Sequence, residues 1–441
     1  MKKLFTTLSN IWKIEDLRTR ILFTLLCLLV YRIGSFIIIP GVDPASIQDA
    51  EAKEGLLGLL NMFAGGSFSR NSIFALGVMP YISASIVVQL LGIAVPYFQK
   101  LQKEGESGRK KINQVTRYLT IIITSLQAMG YVKTQIAPEA RLLGDPMFTI
   151  SPMFVLTPST MFVVWLGEKI TDKGIGNGIS MIIMVGIIAQ LPFGLLAEFE
   201  SRMGAQGGLV TIFVELAALF LVVMFTILIV QGVRKIPVQY AKKIVGAKQY
   251  GGVRQYIPLK VNSAGVMPII FAQAIMFIPT TLGSFFPSMQ SSFLASFSDY
   301  TSLTYNLTFA FMIIAFTFFY TAITVNPVQM SDDMKKNGGF VPGVKPGKTT
   351  GDYIDAVISK ITLPGSIFLA IIAIMPAIAI ILGVNSQFAS FFGGTSLLIL
   401  VGVVLDTLQQ VESHLLMRHY DGLMKTGRIK GRTPVAGGSV I

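Results

Sequence analysis

The sequence predicts an all-α polytopic membrane protein, and three observations lead to that class. First, 52% of the 441 residues are apolar and only 13% are charged, with a mean hydropathy of +0.65. A typical soluble domain carries about 25% charged residues. Second, the chain holds ten apolar runs long enough, as helices, to cross a bilayer core about 30 Å thick. Third, Lys and Arg are abundant in alternate connections, as they are on the cytoplasmic side of membrane proteins.

The ten runs differ in length and composition, but none shows the sustained two-residue alternation of a membrane barrel. We therefore expect each run to be a helix. The runs are Ile21–Ile39, Ile73–Val95, Tyr118–Val132, Pro152–Leu166, Ile179–Leu195, Leu209–Val233, Ala264–Leu282, Leu307–Val325, Ile361–Leu382 and Phe391–Leu408.

The basic residues test this count of runs. Thirty of the 36 Lys and Arg fall in the two termini and in every second connection, five fall on the opposite side, and Arg32 lies inside the first run. One missed or added run would destroy this alternation, because cytoplasmic connections carry the excess of Lys and Arg. The pattern predicts that both termini are cytoplasmic. The first run has no cleavage site of a signal peptide and is expected to act as an anchor.

One apolar run is interrupted. A short apolar piece that begins near Asn61 stops at Gly65–Ser67, restarts near Ile73 and continues through Pro80. Broken backbone is tolerated at membrane depth only where protein covers it or where it lines a water-filled cavity. The interruption therefore indicates an aqueous interior.

Two connections on the predicted cytoplasmic side are far longer than the usual length of about 4–6 residues. They cover about residues 231–261 and 326–360. Topology and attraction to anionic lipids explain their positive charge. Their length, their tyrosines and the Pro/Gly-rich tip of the second connection favour docking of a large cytosolic partner, including one with exposed RNA phosphate. The candidate docking residues are Arg234, Lys242, Lys243, Lys248, Arg254, Lys345 and Lys348.

The sequence does not indicate a catalytic or cofactor site. The only histidines, His414 and His419, lie at the end of the last run, where no candidate nucleophile accompanies them. The segment Gly343–Thr349 is one residue short of a phosphate loop and follows no strand, and Gly174–Gly178 lacks the strand of a dinucleotide fingerprint and is better read as a turn. The single cysteine, Cys27, excludes an intrachain disulfide. We predict a protein without enzyme activity, metal or cofactor.

Polar residues inside or at the start of the runs are few and mostly neutral, with Ser83 and Gln89 in the second run and Asn262 at the start of the seventh among them. Ordinary hydrogen bonding between helices, worth about 0.6 kcal/mol per bond, explains any one of them. A secondary transporter also uses broken helices, and it remains the alternative function. Ion-driven carriers are expected to hold ionisable groups near mid-membrane. Their scarcity here favours a passive channel.

Several segments in one order resemble the SecY family of bacterial protein-conducting channel subunits, and the resemblance runs nearly end to end. The matching segments are Tyr31–Phe36, Ile39–Asp43, Asn61–Phe63, Gln89–Leu91, Glu104–Lys110, Gly174–Ser180, Ile257–Asn262, Phe340–Gly347 and Phe392–Leu398.

The resemblance implies two halves of five helices, residues 1–204 and 205–441, related as an inverted repeat around an hourglass pore. Residues about 57–68 then become a short plug helix. The plug residues are Asn61, Met62, Phe63, Gly65, Gly66 and Ser67. The implied pore ring consists of Val78, Ile82, Ile183, Ile270 and Ile399. From the residues alone, each of these five would be ordinary core packing.

The resemblance also implies a lateral gate between the second and seventh helices, with Ser83, Gln89 and Asn262 as polar contacts. Its implied function is passage of unfolded secretory polypeptides across the bacterial cytoplasmic (inner) membrane and lateral release of membrane segments into it. The implied partners are the small subunits SecE and SecG, the motor ATPase SecA, the translating ribosome, and signal sequences of nascent polypeptides. An insertase scaffold without a pore is a third reading, and it would need neither ring nor plug.

Two positions depart from the family pattern. Lys345 occupies a place where related chains usually have Arg, and Gly246–Lys248 lies where related chains often have two arginines. Lys keeps the charge of Arg but loses its bidentate geometry. Contacts with a cytosolic motor at these positions are therefore expected to differ from those of related chains.

Overall fold

The computed structural model describes residues 12, 14–43, 61–136, 140–142, 144, 147–204, 208–240, 243–245, 248–250, 254–285 and 301–425. The described chain is mostly helical. Its helices are α1 (Glu15–Gly34), α2 (Met79–Ala94), α3 (Pro96–Lys103), α4 (Glu106–Gln135), α5 (Met147–Lys173), α6 (Gly178–Gly204), α7 (Gly208–Val230), α8 (Met267–Phe285), α9 (Leu303–Thr324), α10 (Pro327–Lys336), α11 (Lys348–Ile381), α12 (Ser386–Ala389) and α13 (Gly394–Lys425). The strands are β1 (Val233–Tyr240), β2 (Lys243–Val245), β3 (Lys248–Tyr250), β4 (Arg254–Lys260) and β5 (Gly339–Phe340).

A helix covers part of every predicted run, but fewer helices meet the requirements for crossing a membrane by length and composition. Within the described residues, six segments do so. They are Ile150–Lys173, Gly178–Met203, Gly208–Val230, Leu303–Lys336, Lys348–Ile381 and Gly394–Leu415. Helices α2 and α3 together would make a seventh, although they meet at an angle of 98°. The chain is thus a multi-pass helical membrane protein, and ten crossings remain a prediction.

The second predicted run begins too early in the sequence. Helix α2 starts at Met79, and residues 64–78 form a series of turns rather than the helix that was expected from Ile73 onward. Pro80 explains the late start, because its ring would clash with the carbonyl four residues earlier and is accommodated only in the first turn of a helix. Gly77 has φ +51°, which also lies outside the right-handed helical region.

The expectation of an all-α chain misses two small sheets. Strand β1 lies between β4 and β5 in an antiparallel three-stranded sheet, and β2 pairs with β3. The second long connection is largely helical, since it contains α10 and the first turns of α11. Strand β5 joins β1 at Gln239 and Tyr240, so the two long connections form one folded unit.

The helices pack in two groups along the chain. Helices α1 to α6 form the first group, in which α4 packs on α2, α3 and α5. Helices α7 to α13 form the second group, in which α9 packs on α8 and α11. The broadest contacts between the groups all involve α6, which packs against α7, α12 and α13. One side of the molecule is therefore closely joined across the groups.

Candidate functional site

The five residues of the predicted ring come together, although they belong to different parts of the chain. Val78, Ile183 and Ile399 are buried in one apolar cluster, and Ile82 and Ile270 pack against it. They come from the start of α2 and from α6, α8 and α13, so both helix groups contribute. Branched aliphatic side chains at such a meeting point form a deformable apolar contact that offers no hydrogen bond to a polar chain.

The segment that precedes α2 folds back onto this cluster. Met62 and Phe63 are members of the same cluster, in a helical turn at residues 61–63. Gly65 then reverses the chain with φ +64°, a backbone conformation that glycine adopts without a steric penalty. An added Cβ on Gly186 of α6 would lie 2.8 Å from the Phe63 carbonyl oxygen. The backbone of the folded-back segment therefore lies directly against the backbone of α6 at Gly186.

Hydrogen bonds fix the far side of this folded-back segment, which covers residues 61–69. The Asn61 side-chain oxygen accepts from the Ser69 amide at 3.0 Å. The Tyr131 hydroxyl of α4 donates to the Phe68 carbonyl at 2.7 Å. Ser67 is fully buried. The segment is therefore held by its own side chains and by α4 and α6.

Two arginines hold the turn of the segment. Arg70 donates to the carbonyls of Gly65 at 2.7 Å and Gly66 at 3.1 Å, and Arg32 of α1 donates to the Gly65 carbonyl at 3.2 Å. Both guanidinium groups stack on the ring of Phe36, at 5.4 Å for Arg32 and 4.3 Å for Arg70. Burial and the charge of Arg32 lower the pKa of Arg70. Arg70 nevertheless stays charged at neutral pH, because its ordinary pKa is so high.

The three predicted gate residues do not form a shared contact. The Ser83 hydroxyl donates to the Met79 carbonyl of its own helix at 3.2 Å, and Gln89 is half-buried further along α2. Asn262 is buried in the turn before α8, and its Oδ1 has no hydrogen-bond partner among the described residues. Helix α2 packs mainly on α3 and α4, whereas α8 packs mainly on α9. An extended α2–α8 contact is absent from the described part of the chain.

The predicted docking residues surround the folded unit of the two long connections. Its core consists of Ile236, Val238, Leu259, Met334, Val341 and Ile354. Arg234, Lys345 and Lys348 are exposed on it. The Thr350 hydroxyl donates to the Lys345 carbonyl at 2.8 Å, which fixes the backbone of the tip. Lys242 lies outside the described residues, and Lys243, Lys248 and Arg254 are described in their backbone only, on β2, β3 and β4.

A buried ion triad was not anticipated from the sequence. Arg202, at the end of α6, was counted as an external loop charge, but it pairs with Glu198 at 2.8 Å and with Glu215 of α7 at 2.6 Å. Two signals could have revealed the triad. Glu198 and Arg202 have the four-residue spacing of a helical ion pair. Glu215 is the only charged residue in a long apolar helix, and such a residue usually has a partner.

Comparison with known proteins assigns the family. The SecY family model matches residues 72–408. A protein of Streptomyces scabiei named protein translocase subunit SecY is 42% identical over 440 residues, which cover 96% of this chain and all of the relative. A protein of the same name from Halalkalibacterium halodurans is 43% identical over 432 residues, with the same coverage of both chains.

Solved structures share the fold. A structure described as a protein-conducting channel matches with a TM-score of 0.64 at 17% identity, over 90% of this chain and 92% of that chain. A second structure, whose description concerns the plug domain of SecY and its stabilisation of the closed state, matches with a TM-score of 0.63 at the same identity and coverage. Full-length relatives above 40% identity and the family model lead to one conclusion. The chain belongs to the SecY family.

Proposed function

We propose that this chain is the channel subunit of a protein translocase, which passes unfolded polypeptides across a membrane and releases apolar segments into it. The observation that carries the proposal is the meeting of Val78, Ile82, Ile183, Ile270 and Ile399 in one apolar cluster with the folded-back segment. We assign the ring to the pore constriction and the segment to the plug. The halves are residues 1–204 and 205–441.

The ring acts as a gasket. Apolar branched side chains bind no particular passenger residue strongly, and they exclude water and ions when the pore is empty. Met62 and Phe63 contribute to the same cluster, so the plug fills the space next to the ring. Passage requires the plug to leave, and this movement exchanges apolar contacts with the cluster for contacts with the passenger.

We place the lateral gate between α2 and α8. Helix α6 makes the broad contacts between the two helix groups, which supports a gate on the other side of the molecule. An apolar segment of the passenger binds between the separated helices because it gains lipid and protein contacts there. Ser83, Gln89 and Asn262 provide a small polar preference for the closed state, since modest contacts suffice to bias such an equilibrium.

We assign the folded unit of the two long connections to a cytosolic partner. Its exposed Arg234, Lys345 and Lys348 suit a negatively charged surface. One structural match is described as a ribosome–channel complex from the endoplasmic reticulum, with a TM-score of 0.60 and 16% identity. Partners in this proposal are the ribosome, a SecA-type motor, and small subunits of the SecE and SecG type. The chain then resides in the bacterial cytoplasmic membrane with both termini in the cytoplasm.

Crosslinking tests the proposal directly. A stalled secretory polypeptide that carries one cysteine is presented to the full-length protein in membranes, with Cys27→Ser as the background. Val78→Cys and Ile270→Cys are expected to form disulfides with the passenger.

Leu221→Cys on α7 is the matched control, because this side chain is half exposed on an apolar helix. It is expected to give no adduct. Adducts at Leu221 without adducts at either ring position would exclude the channel function.

A further inference from the structure

The triad of Glu198, Arg202 and Glu215 joins the two halves by directed, buried contacts. Arg202 and Glu198 belong to α6 in the first half, and Glu215 belongs to α7 in the second. The exposed fractions of the Arg202, Glu198 and Glu215 side chains are only 15%, 2% and 9%. Charge-assisted hydrogen bonds in such an environment are about twice as strong as neutral ones.

The triad also binds the turn between α11 and α12. A second Arg202 contact reaches the Gly383 carbonyl at 2.8 Å, and Glu198 accepts from the Asn385 amide at 2.7 Å. Three directed bonds therefore connect α6 with two separate parts of the second half: two from Arg202, to Glu215 and Gly383, and one from the Asn385 amide to Glu198. Close backbone packing continues beside them, since a Cβ on Gly194 would lie 3.4 Å from the Gln387 carbonyl oxygen.

The chain contains a useful contrast within one half. Arg117 of α4 pairs with Glu168 of α5, and its Nε donates to Glu168 Oε1 at 3.2 Å. That pair is more exposed, with 48% and 26% of the two side chains accessible. Both helices belong to the first half, so this pair cannot influence how the halves sit relative to each other.

We infer that Arg202 is a positioning residue, and that its triad is the joint that keeps the external ends of the two halves together while the opposite side separates. The inference rests on the proposed function, because it assumes two halves that move. A buried charged joint suits this role. Separation here would break the Arg202 bonds to Glu215 and to the Gly383 carbonyl and leave a buried charge without its partner, which is strongly unfavourable.

The distance between the halves tests the joint. Spin labels are attached to Leu142→Cys and Leu303→Cys, in the first and second halves, in the Cys27→Ser background. Both side chains are exposed, at 68% and 74%. Pulsed electron paramagnetic resonance then measures the label separation in the full-length protein in lipid nanodiscs. Arg202→Met is expected to add a second, longer distance, because loss of one partner of a buried pair shifts an equilibrium by about a hundredfold or more.

Arg117→Met is the matched control and is expected to leave the distance distribution unchanged. Arg202→Lys covers the case in which Arg202→Met does not fold, since Lys keeps the charge but cannot make the directed bonds of a guanidinium. It is expected to broaden the distribution, whereas Arg117→Lys is not. An unchanged distribution in every folded Arg202 variant, even with lower thermal stability, would overturn the joint.

A result that contradicts the role of Arg202 can be distinguished from a result that contradicts the channel function. The label separation reports geometry and requires no passenger. Crosslinking of a stalled polypeptide at Val78 or Ile270 reports the channel, whatever the state of Arg202.

Discussion

At the scale of single residues, the turn of the folded-back segment depends on Arg70. Its guanidinium group donates to two consecutive carbonyls, of Gly65 and Gly66, and stacks on Phe36. The Gly66 carbonyl also accepts from the Arg70 amide at 3.3 Å, so the guanidinium adds charge-assisted bonds to a turn that is already closed by its backbone. Arg32 accompanies Arg70 on the same ring and the same Gly65 carbonyl.

Replacement of Arg70 by Met is expected to loosen the segment. The change removes two charge-assisted hydrogen bonds and the stacking on Phe36, while the side-chain length is kept. The measurement is the rate of maleimide labelling of Ser67→Cys in the Cys27→Ser background, because Ser67 is fully buried in the intact segment. We expect the rate to rise about tenfold or more, since each lost bond of this kind is worth about 1.5–3 kcal/mol.

Arg18→Met is the control for this experiment, because Arg18 is exposed on α1, away from the segment. It is expected to leave the labelling rate of the cysteine at position 67 unchanged. Equal rates in the Arg70 and Arg18 variants would show that Arg70 does not hold the turn.

The sequence could predict only part of this residue-scale picture. Arg70 carries the signature of an external charge, and its role appears only when Gly65 and Gly66 turn back towards it. Val78 and Ile270 are apolar residues in apolar helices, so the family resemblance, rather than any pattern, selects them. Glu215 is different, because a lone carboxylate in a helix as apolar as α7 is itself a signal of a partner.

At the scale of elements, the folded-back segment lies directly against α6. The approach at Gly186 leaves no room for a methyl group, because a Cβ there would meet the Phe63 carbonyl oxygen at 2.8 Å and the Gly65 amide nitrogen at 3.2 Å. Both contacts are with backbone atoms, which cannot rotate away as a side chain can. Gly186 therefore sets the position of the segment relative to the ring.

Gly186→Ala is expected to displace the segment and to make the resting channel leak. The measurement is the ion conductance of proteoliposomes that contain the full-length protein without passenger. Overpacking of this kind costs about 1–3 kcal/mol, which is enough to raise the population of the displaced state about tenfold.

Gly351→Ala on α11 is the matched control. The nearest atoms to its added Cβ lie at 3.7 Å, an ordinary contact distance. If both alanine variants conduct like the wild type, the close approach at Gly186 does not seal the channel.

The three-stranded sheet of β1, β4 and β5 allows a second prediction at this scale. Val238 on β1 is 1% exposed in the core of the folded unit. Val238→Asp buries an unpaired carboxylate and is expected to unfold this unit. Cosedimentation with ribosomes is then expected to be lost, because the basic residues no longer share one surface.

Gln255→Asp is the control for the sheet. It introduces the same charge on β4, directly opposite Val238 in the register, but at an exposed position. It is expected to retain most ribosome binding. Equal loss in the two variants would mean that charge, and not the fold of the unit, governs docking.

Elements were predictable from the sequence where one signal dominated. Apolar runs located the helices, because a long apolar stretch has few other stable forms in lipid. The predicted start of α2 was about six residues too early. The apolar residues from Ile73 onward suggested a helix, whereas Pro80 is accommodated only in the first turn of a helix. The joining of the two long connections was missed because β1 and β5 lie about a hundred residues apart, and a two-residue strand such as β5 has no pattern that indicates its partner.

At the scale of the whole molecule, the two helix groups are joined unequally. Helix α6 contacts α7, α12 and α13, whereas α2 and α8 pack mainly within their own groups. The ring therefore lies between a joined side and a side with little shared packing. In such an arrangement, one movement of the two groups can both widen the ring and open the poorly packed side. The proposed function requires both changes, because polypeptides cross the membrane and apolar segments leave sideways.

The distribution of Lys and Arg predicts how the whole chain is oriented in the membrane. Thirty of the 36 Lys and Arg lie on one predicted side, so the exposed tip at Lys345 is expected in the cytoplasm and the exposed Leu142 on the outside. A membrane-impermeant maleimide should label Lys345→Cys only in inside-out vesicles and Leu142→Cys only in right-side-out vesicles, with Cys27→Ser as the background. Lys103→Cys, an exposed position at the end of α3, is the control and should follow Lys345→Cys. Labelling of positions 142 and 345 from the same side would require an even number of crossings between them, which contradicts the five that the charge alternation predicts.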